Sequence, residues 1–305
     1  MIVRAYAKVN CALDIVGVFE NGYHDLDMIM APISLYDEIE ISESEKDEVI
    51  CLNEDIPKRN TVSSMVALLK KTYSIDSHYR IVIHKNIPQM SGMAGGSADG
   101  AAVLKAILEM EKISISLEEK INLAKQIGAD VPFCVVNQWA RVKGIGEKIT
   151  VLDTDWKIPC LIVKPDCGIS TPVAFKNWHE SRPIQVDVDT ICESVVHKDY
   201  DAFIRSINNT LEPVARKMEP ILNTIEEEMM NLGMDRVMMS GSGSSMMGFS
   251  MNMDIMNHAK KEMEKKYNFV KIVTIGGEYG LFNFKILYIF SMFYIECICL
   301  FIYSI

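Results

Sequence analysis

The sequence predicts an α+β protein of two domains, and three observations carry that reading. At 305 residues the chain exceeds what one hydrophobic core usually spans. Strand-like alternation and helix-like spacing both occur in its first half, and both recur after about residue 153. Within the first half, the glycine-rich stretch Pro88-Gln89-Met90-Ser91-Gly92-Met93-Ala94-Gly95-Gly96-Ser97-Ala98 joins a strand pattern to a helix pattern.

In order along the chain, residues 2–15 alternate with Val3, Tyr6, Val9 and Leu13 and read as a strand. Asn21-Gly22 marks a hairpin turn, and residues 28–41 read as the returning strand, with Pro32 and Asp37 limiting regular pairing. Residues 42–48 are acidic and polar and predict a solvated loop. Asn60 or Thr61 caps a helix over 62–73, whose Val62, Met65, Val66 and Leu69 share a face. Residues 79–85 predict the strand before the glycines, and residues 101–108 the helix after them. Ser116-Leu117-Glu118-Glu119 has the form of a capping box, opening a helix that stops at Gly128.

A second glycine turn, Gly144-Ile145-Gly146, precedes a domain boundary at 152/153, so that the domains are 1–152 and 153–278. The second half predicts strands at 160–163, 237–239, 246–250 and 270–275, with helices at 199–207, 214–232 and 253–266. Its methionines read as core filler. Residues 279–305 are almost wholly apolar and long enough to cross a bilayer. They are either a membrane anchor or residues beyond the natural end of the protein. A membrane is a partner only in the first case.

The net charge of −10 argues against non-specific nucleic-acid binding, which needs a basic surface. The eight cysteines show neither a C-x-x-C nor zinc spacing, so reduced thiols and a cytoplasmic location are expected. No metal ligands can be assigned from the sequence. Oligomeric state is not legible either.

Small residues between a strand and a helix let backbone N–H groups approach an anion, and the helix start adds its own free N–H groups. A polyphosphate suits such a cradle; an ordinary glycine-rich turn is the plainer reading. No Lys-Ser or Lys-Thr follows, so it is not a Walker A loop. Phosphoryl transfer also needs a group that orients or deprotonates the acceptor and a positive charge beside it. Asp130, between Gly128 and Pro132, either caps a helix or does the first; Lys8, in an apolar strand, either faces solvent or does the second.

The glycine stretch resembles the phosphate motif of the GHMP small-molecule kinases. Ala7-Lys8-Val9-Asn10, Gly22-Tyr23-His24, Gly128-Ala129-Asp130-Val131-Pro132 and Ser240-Gly241-Ser242-Gly243 occur in the order of one branch of that family, over residues 1–275. The resemblance implies a ribosomal-protein-S5-like amino-terminal domain, a ferredoxin-like carboxyl-terminal domain and a cleft between them. It implies transfer of the γ-phosphoryl group of ATP, with magnesium (Mg2+), to the 2-hydroxyl of a cytidine-diphosphate-linked branched polyol of the non-mevalonate isoprenoid route.

By the same resemblance Lys8 and Asp130 are the catalytic pair. Pro88 to Ala98, with Asn60 and Lys85, hold ATP, and Ser97 is on the metal side. Asn10, Tyr23, His24, Thr171, Phe175, Gly241, Ser242 and Gly243 contact substrate, the cytosine lying between Tyr23 and Phe175. Other GHMP kinases, or a silent membrane-tethered nucleotide-binding relative, are the alternatives. The chain departs from the family pattern at Asn137-Gln138-Trp139, where glycines and a threonine are usual, and in its apolar end.

Overall fold

A computed structural model describes residues 1–178 and 184–277. The apolar stretch 279–305 lies outside the described residues, and among these no helix is long and apolar enough to cross a membrane.

The first half is built on a long antiparallel hairpin, β1 (Ile2–Val18) and β2 (His24–Ser44). Asn21 and Gly22 form its turn, with Gly22 at φ +82°. The ladder slips between Tyr6 and Lys8 and again between Asn10 and Ala12. Pro32, opposite Lys8, accepts on its carbonyl from the Gly276 N–H at 2.8 Å, and the bulge re-aims the side chains beside it. The N–H of Lys8 donates instead to the carbonyl of Met93, 3.1 Å away in the glycine stretch. The Lys8 amide, out of the ladder at the bulge, thus holds the loop.

β2 continues three residues past its expected end, and β3 (Glu48–Cys51) follows almost at once, so most of the expected loop at 42–48 is strand. β3 runs parallel to β4 (His78–His84), which pairs with β2. Between them α1 (Thr61–Tyr73) buries Val62, Met65, Val66 and Leu69, and Asn60 caps it in a reciprocal box with Ser63. α2 (Gly95–Met110) starts six residues earlier than its side chains suggest, because the glycines themselves form its first turn. α3 (Leu117–Lys125) opens on the Ser116–Glu119 capping box, as expected.

α4 (Val131–Val136) ends at Asn137 with φ +53°. Asparagine tolerates this left-handed conformation better than most residues, so the departure at Asn137 fits the local backbone. Trp139 is fully buried and donates from Nε1 to the Trp156 carbonyl at 3.0 Å. β5 (Ala140–Gly144) and β6 (Lys148–Val151) complete this half, with β5 on β2.

The second half has a sheet ordered β11–β7–β10–β9, all antiparallel: β7 (Ile158–Lys164), β9 (Arg236–Met239), β10 (Met246–Phe249) and β11 (Phe269–Ile275). With helices after the first and third of these strands, this is a ferredoxin-like arrangement. It joins the first sheet at Ile275 opposite Ile33.

In this half two helices stand outside the sequence expectations, α5 (Thr171–Lys176) and α6 (Val188–His197), while α7 (Tyr200–Ser206) falls within the helix expected at 199–207. β8 (Asn208–Asn209) pairs with β1 across the halves. The single helix expected over 214–232 is two, α8 (Glu212–Met218) and α9 (Ile221–Asn231). Pro220 cannot donate to the preceding turn, and it pushes Glu219 out of helical conformation, to φ −132° and ψ 84°. α10 (Met253–Met263) is capped by Asn252. The methionines of β9 and β10 are buried in the core.

Candidate active site

A cavity of about 1210 Å³ opens between the two halves. One end is made of backbone. Ala94 takes φ +58° and hands the chain to Gly95, so α2 begins with no side-chain cap on its N–H groups. Gly95, Gly96 and Ser97, in that first turn, face the cavity. Uncapped helix-start N–H groups with a favourable dipole are what a phosphate needs.

The loop before them is stitched to the second half. Ser244 N–H donates to the Met90 carbonyl and Ser245 N–H to that of Ser91, each at 3.3 Å. The Ser240 hydroxyl donates to the Gly92 carbonyl at 3.2 Å and accepts from the Asn10 N–H at 3.3 Å. Gly92 has φ +73°, and a Cβ there would lie 2.1 Å from the Ser240 carbonyl oxygen. Only glycine fits that crossing.

Lys8 and Asp130 both line the cavity. Lys8 is only 5% exposed and donates from Nζ to Asn10 Oδ1 at 2.7 Å, while the Asn10 amide donates to Met28 Sδ at 3.3 Å. Asp130 occupies the position before α4 but makes no side-chain capping bond, so its carboxylate is left to the cavity. Among the described residues the two form no direct ion pair. Both charges act on the buried thiol of Cys134, whose ionisation is pushed up mainly by burial.

The other end is made of side chains. Tyr23, 60% exposed, leaves the hairpin turn and reaches the cavity. The His24 ring lies 5.0 Å from that of Phe175 and 5.7 Å, edge-on, from that of Trp178. Thr171 shares a 2.7 Å hydrogen bond with Ser242. Gly241 and Ser242 line the cavity.

Four expected site residues lie elsewhere. Met93 and Ala98 point into the core. Gly243 turns toward Met239 and Ile169. Asn60 spends its side chain on capping α1 and on the Pro57 carbonyl. Asn10 faces the cavity, yet it is 1% exposed and grips Lys8, so it supports that ammonium more than it offers itself to a ligand.

Lys85 also borders the cavity, but its ammonium is committed to Asp37 and Asp99 rather than to a base. Sequence reasoning missed Thr61, Met28 and Lys176 on the lining, and the Ile145-Gly146 edge. The glycine turn at 144–146 was a usable signal for the last; the others belong to unremarkable patterns.

An anion cradle at a helix start, a carboxylate and an ammonium facing one cleft, and a ferredoxin-like second half define a small-molecule kinase of the GHMP class. Residues 60–138 match the GHMP kinases N terminal domain, and residues 191–268 the GHMP kinases C terminal domain.

The 4-diphosphocytidyl-2-C-methyl-D-erythritol kinase of Clostridium beijerinckii is 38% identical over 276 residues, 89% of this chain and 99% of that protein. That of Clostridium acetobutylicum is 39% identical over the same span. A crystal structure of 4-(cytidine 5'-diphospho)-2C-methyl-D-erythritol kinase superposes with a TM-score of 0.78 at 28% identity, over 91% of this chain and all of that one. A homoserine kinase from Cytophaga hutchinsonii, at 18% identity and a TM-score of 0.69, shares the fold. The chain belongs to the 4-diphosphocytidyl-2-C-methyl-D-erythritol kinase family, and it is an ATP-dependent small-molecule kinase.

Proposed function

We propose that this kinase transfers the γ-phosphoryl group of ATP to the 2-hydroxyl of 4-diphosphocytidyl-2-C-methyl-D-erythritol. One observation carries the reading: Lys8 and Asp130 face a single cavity whose ends suit a polyphosphate and an aromatic base. The N–H groups of Gly95, Gly96 and Ser97 hold phosphate oxygens, drawing on the helix start rather than on side-chain charge. Asp130 accepts the proton of the acceptor hydroxyl as its oxygen bonds to phosphorus and the bond to the ADP oxygen breaks. Lys8, steadied by Asn10, offsets charge on the transferring group.

Tyr23 stacks on one face of the cytosine, with Phe175 and His24 on the other side, an arrangement worth about 1–3 kcal/mol per stacked base. Among the described residues no cluster of three His, Cys, Asp or Glu side chains could hold a metal. Magnesium suits this site as an ion carried mainly by phosphate oxygens and water, with Asp130 and Ser97 within the same cavity to steady it. When bound, it supplies neutralisation of phosphate charge.

The boundary between the domains falls in the connection between β6 and β7, and the cytoplasm is the working compartment, consistent with six free cysteines among the described residues. The test is turnover of ATP with the cytidine substrate, wild type beside Asp130→Asn. Full rate in the asparagine variant refutes the base assignment, and no turnover in the wild type refutes the substrate.

A further inference from the structure

The turn Gly144-Ile145-Gly146-Glu147 borders the cavity, and nothing in the chemistry described so far uses its glutamate. It joins β5 to β6. Both of its glycines have positive φ, +74° at Gly144 and +112° at Gly146, where a side chain is strained. Each also makes room for a different neighbour. A Cβ on Gly144 would lie 2.5 Å from Glu147 Oε1 and 2.6 Å from Oε2, so the carboxylate is folded back over its own turn. Its Oε2 accepts there from the Ile145 N–H at 2.7 Å. Lys143, close by, pairs with Asp27 instead, and no cation pairs with Glu147 among the described residues. Glu147 thus serves as a hydrogen-bond acceptor inside the turn and not as half of a surface ion pair.

The second glycine faces the reaction centre. A Cβ on Gly146 would lie 2.9 Å from the Ala129 carbonyl oxygen, so the turn rests against that carbonyl. Ala129 and Gly146 line the cavity beside Asp130. The carbonyl belongs to the planar peptide unit whose nitrogen is that of Asp130, so its tilt sets the φ of Asp130. No backbone N–H donates to it among the described residues. On its other side Asp130 is already anchored, because its own carbonyl accepts from the Cys134 N–H at 3.1 Å. Its side chain takes no capping bond. The direction of the carboxylate therefore follows from the backbone on either side, and the 144–147 turn meets the side that α4 does not hold.

We infer that Glu147 is a positioning residue for the phosphoryl transfer: it keeps the 144–147 turn against the peptide before Asp130 and so fixes where that carboxylate points. The inference rests on the reading of Asp130 as the group that receives the acceptor's proton. Without the Glu147 bond the Ile145 N–H loses its partner, the turn loosens, and Asp130 samples directions from which it cannot reach the hydroxyl. The amides at the start of α2 belong to a separate element, so the hold on ATP does not change.

Steady-state kinetics with ATP and 4-diphosphocytidyl-2-C-methyl-D-erythritol tests this on two variants. Glu147→Ala removes the acceptor and is expected to lower kcat about 10–100-fold, with the KM for ATP within about twofold of wild type. Glu147→Gln keeps an acceptor oxygen at the same reach and is expected to restore kcat to within about threefold. An effect that acts through Asp130 vanishes with it. In an Asp130→Asn background, Glu147→Ala is therefore expected to change kcat by less than about twofold.

A wild-type kcat in Glu147→Ala overturns the inference. So do losses that multiply in the double variant, because the turn then acts apart from Asp130, and so does a KM for ATP that rises as far as kcat falls. Full rate in Asp130→Asn overturns the base reading and this inference with it. Loss of rate there with none in Glu147→Ala overturns this inference alone. Should Glu147→Ala not fold, Gly146→Ala decides, since it keeps the Glu147 bond and pushes on the Ala129 carbonyl. A fall in kcat with the KM for ATP unmoved supports the inference, and an unchanged kcat overturns it.

Discussion

The two ends of the cavity are built by opposite means. The phosphate end is main chain, with amides at an uncapped helix start, a glycine crossing that excludes any Cβ, and a buried ion cluster beneath. The base end is side chain, made of Tyr23, His24 and Phe175 on a hairpin turn and a short helix, with Tyr23 largely exposed. A backbone site depends on the fold around it and fails as a unit. A side-chain site can lose one member and keep its frame. Substitutions at the two ends should therefore differ in kind as well as in size.

The largest effect is expected midway between the ends, at Asp130. Asp130→Asn removes the proposed proton acceptor and should lower kcat about 10²–10⁴-fold with ADP affinity nearly unchanged, read by steady-state kinetics beside calorimetry. A parallel loss of nucleotide affinity would mean that Asp130 belongs to the phosphate end instead.

Next comes Gly92→Ala, which drives a Cβ into the Ser240 carbonyl at a positive φ. It should cost about 2–4 kcal/mol of stability in denaturant unfolding and raise the KM for ATP as well. A variant with wild-type stability and KM would show that the two loops are not locked together.

At the other end, Tyr23→Ala should leave stability within about 0.5 kcal/mol of wild type, because the ring is exposed. The KM for the cytidine substrate should rise by the equivalent of about 1–3 kcal/mol with the KM for ATP unmoved. If both KM values rise together, the ends are not independent.

The smallest effect is expected for Gly96→Ala. This helical glycine has an ordinary φ, and a Cβ there meets nothing nearer than Thr61 Oγ1 at 3.6 Å. Stability should rise by up to about 1 kcal/mol from helix propensity, checked by thermal unfolding. Set beside Gly92→Ala, it separates a glycine required by its neighbours from one that is merely small.

Legibility followed the same divide. The backbone end was readable as structure because strand, glycines and helix are consecutive, so local rules apply to them. Asn60 shows the limit of borrowing a role. Its position before an amphipathic run marks it as a helix cap, and that is where its side chain is spent. Lys85 shows a different limit. Its partners lie 48 and 14 positions away, and nothing in a strand-end lysine announces two buried carboxylates. α5 went unread because it is short, whereas α6 carries Val188, Ile191 and Val195 at helical spacing behind the Asp187 cap and was open to the same local rules.

By itself, the sequence determined the elements whose causes are local: the hairpin at Asn21-Gly22, the capped helices α1 and α3, the glycine cradle and the break that follows Gly128. Tertiary structure alone decided that Lys8 and Asp130 share a cavity, that the Lys8 amide leaves its ladder for the Met93 carbonyl, and that one lysine serves two aspartates under the loop. The reason is range. Capping and turn preferences act over a few residues, whereas a charge, a missing donor or an unpaired oxygen takes its meaning from whichever distant strand or helix packs against it.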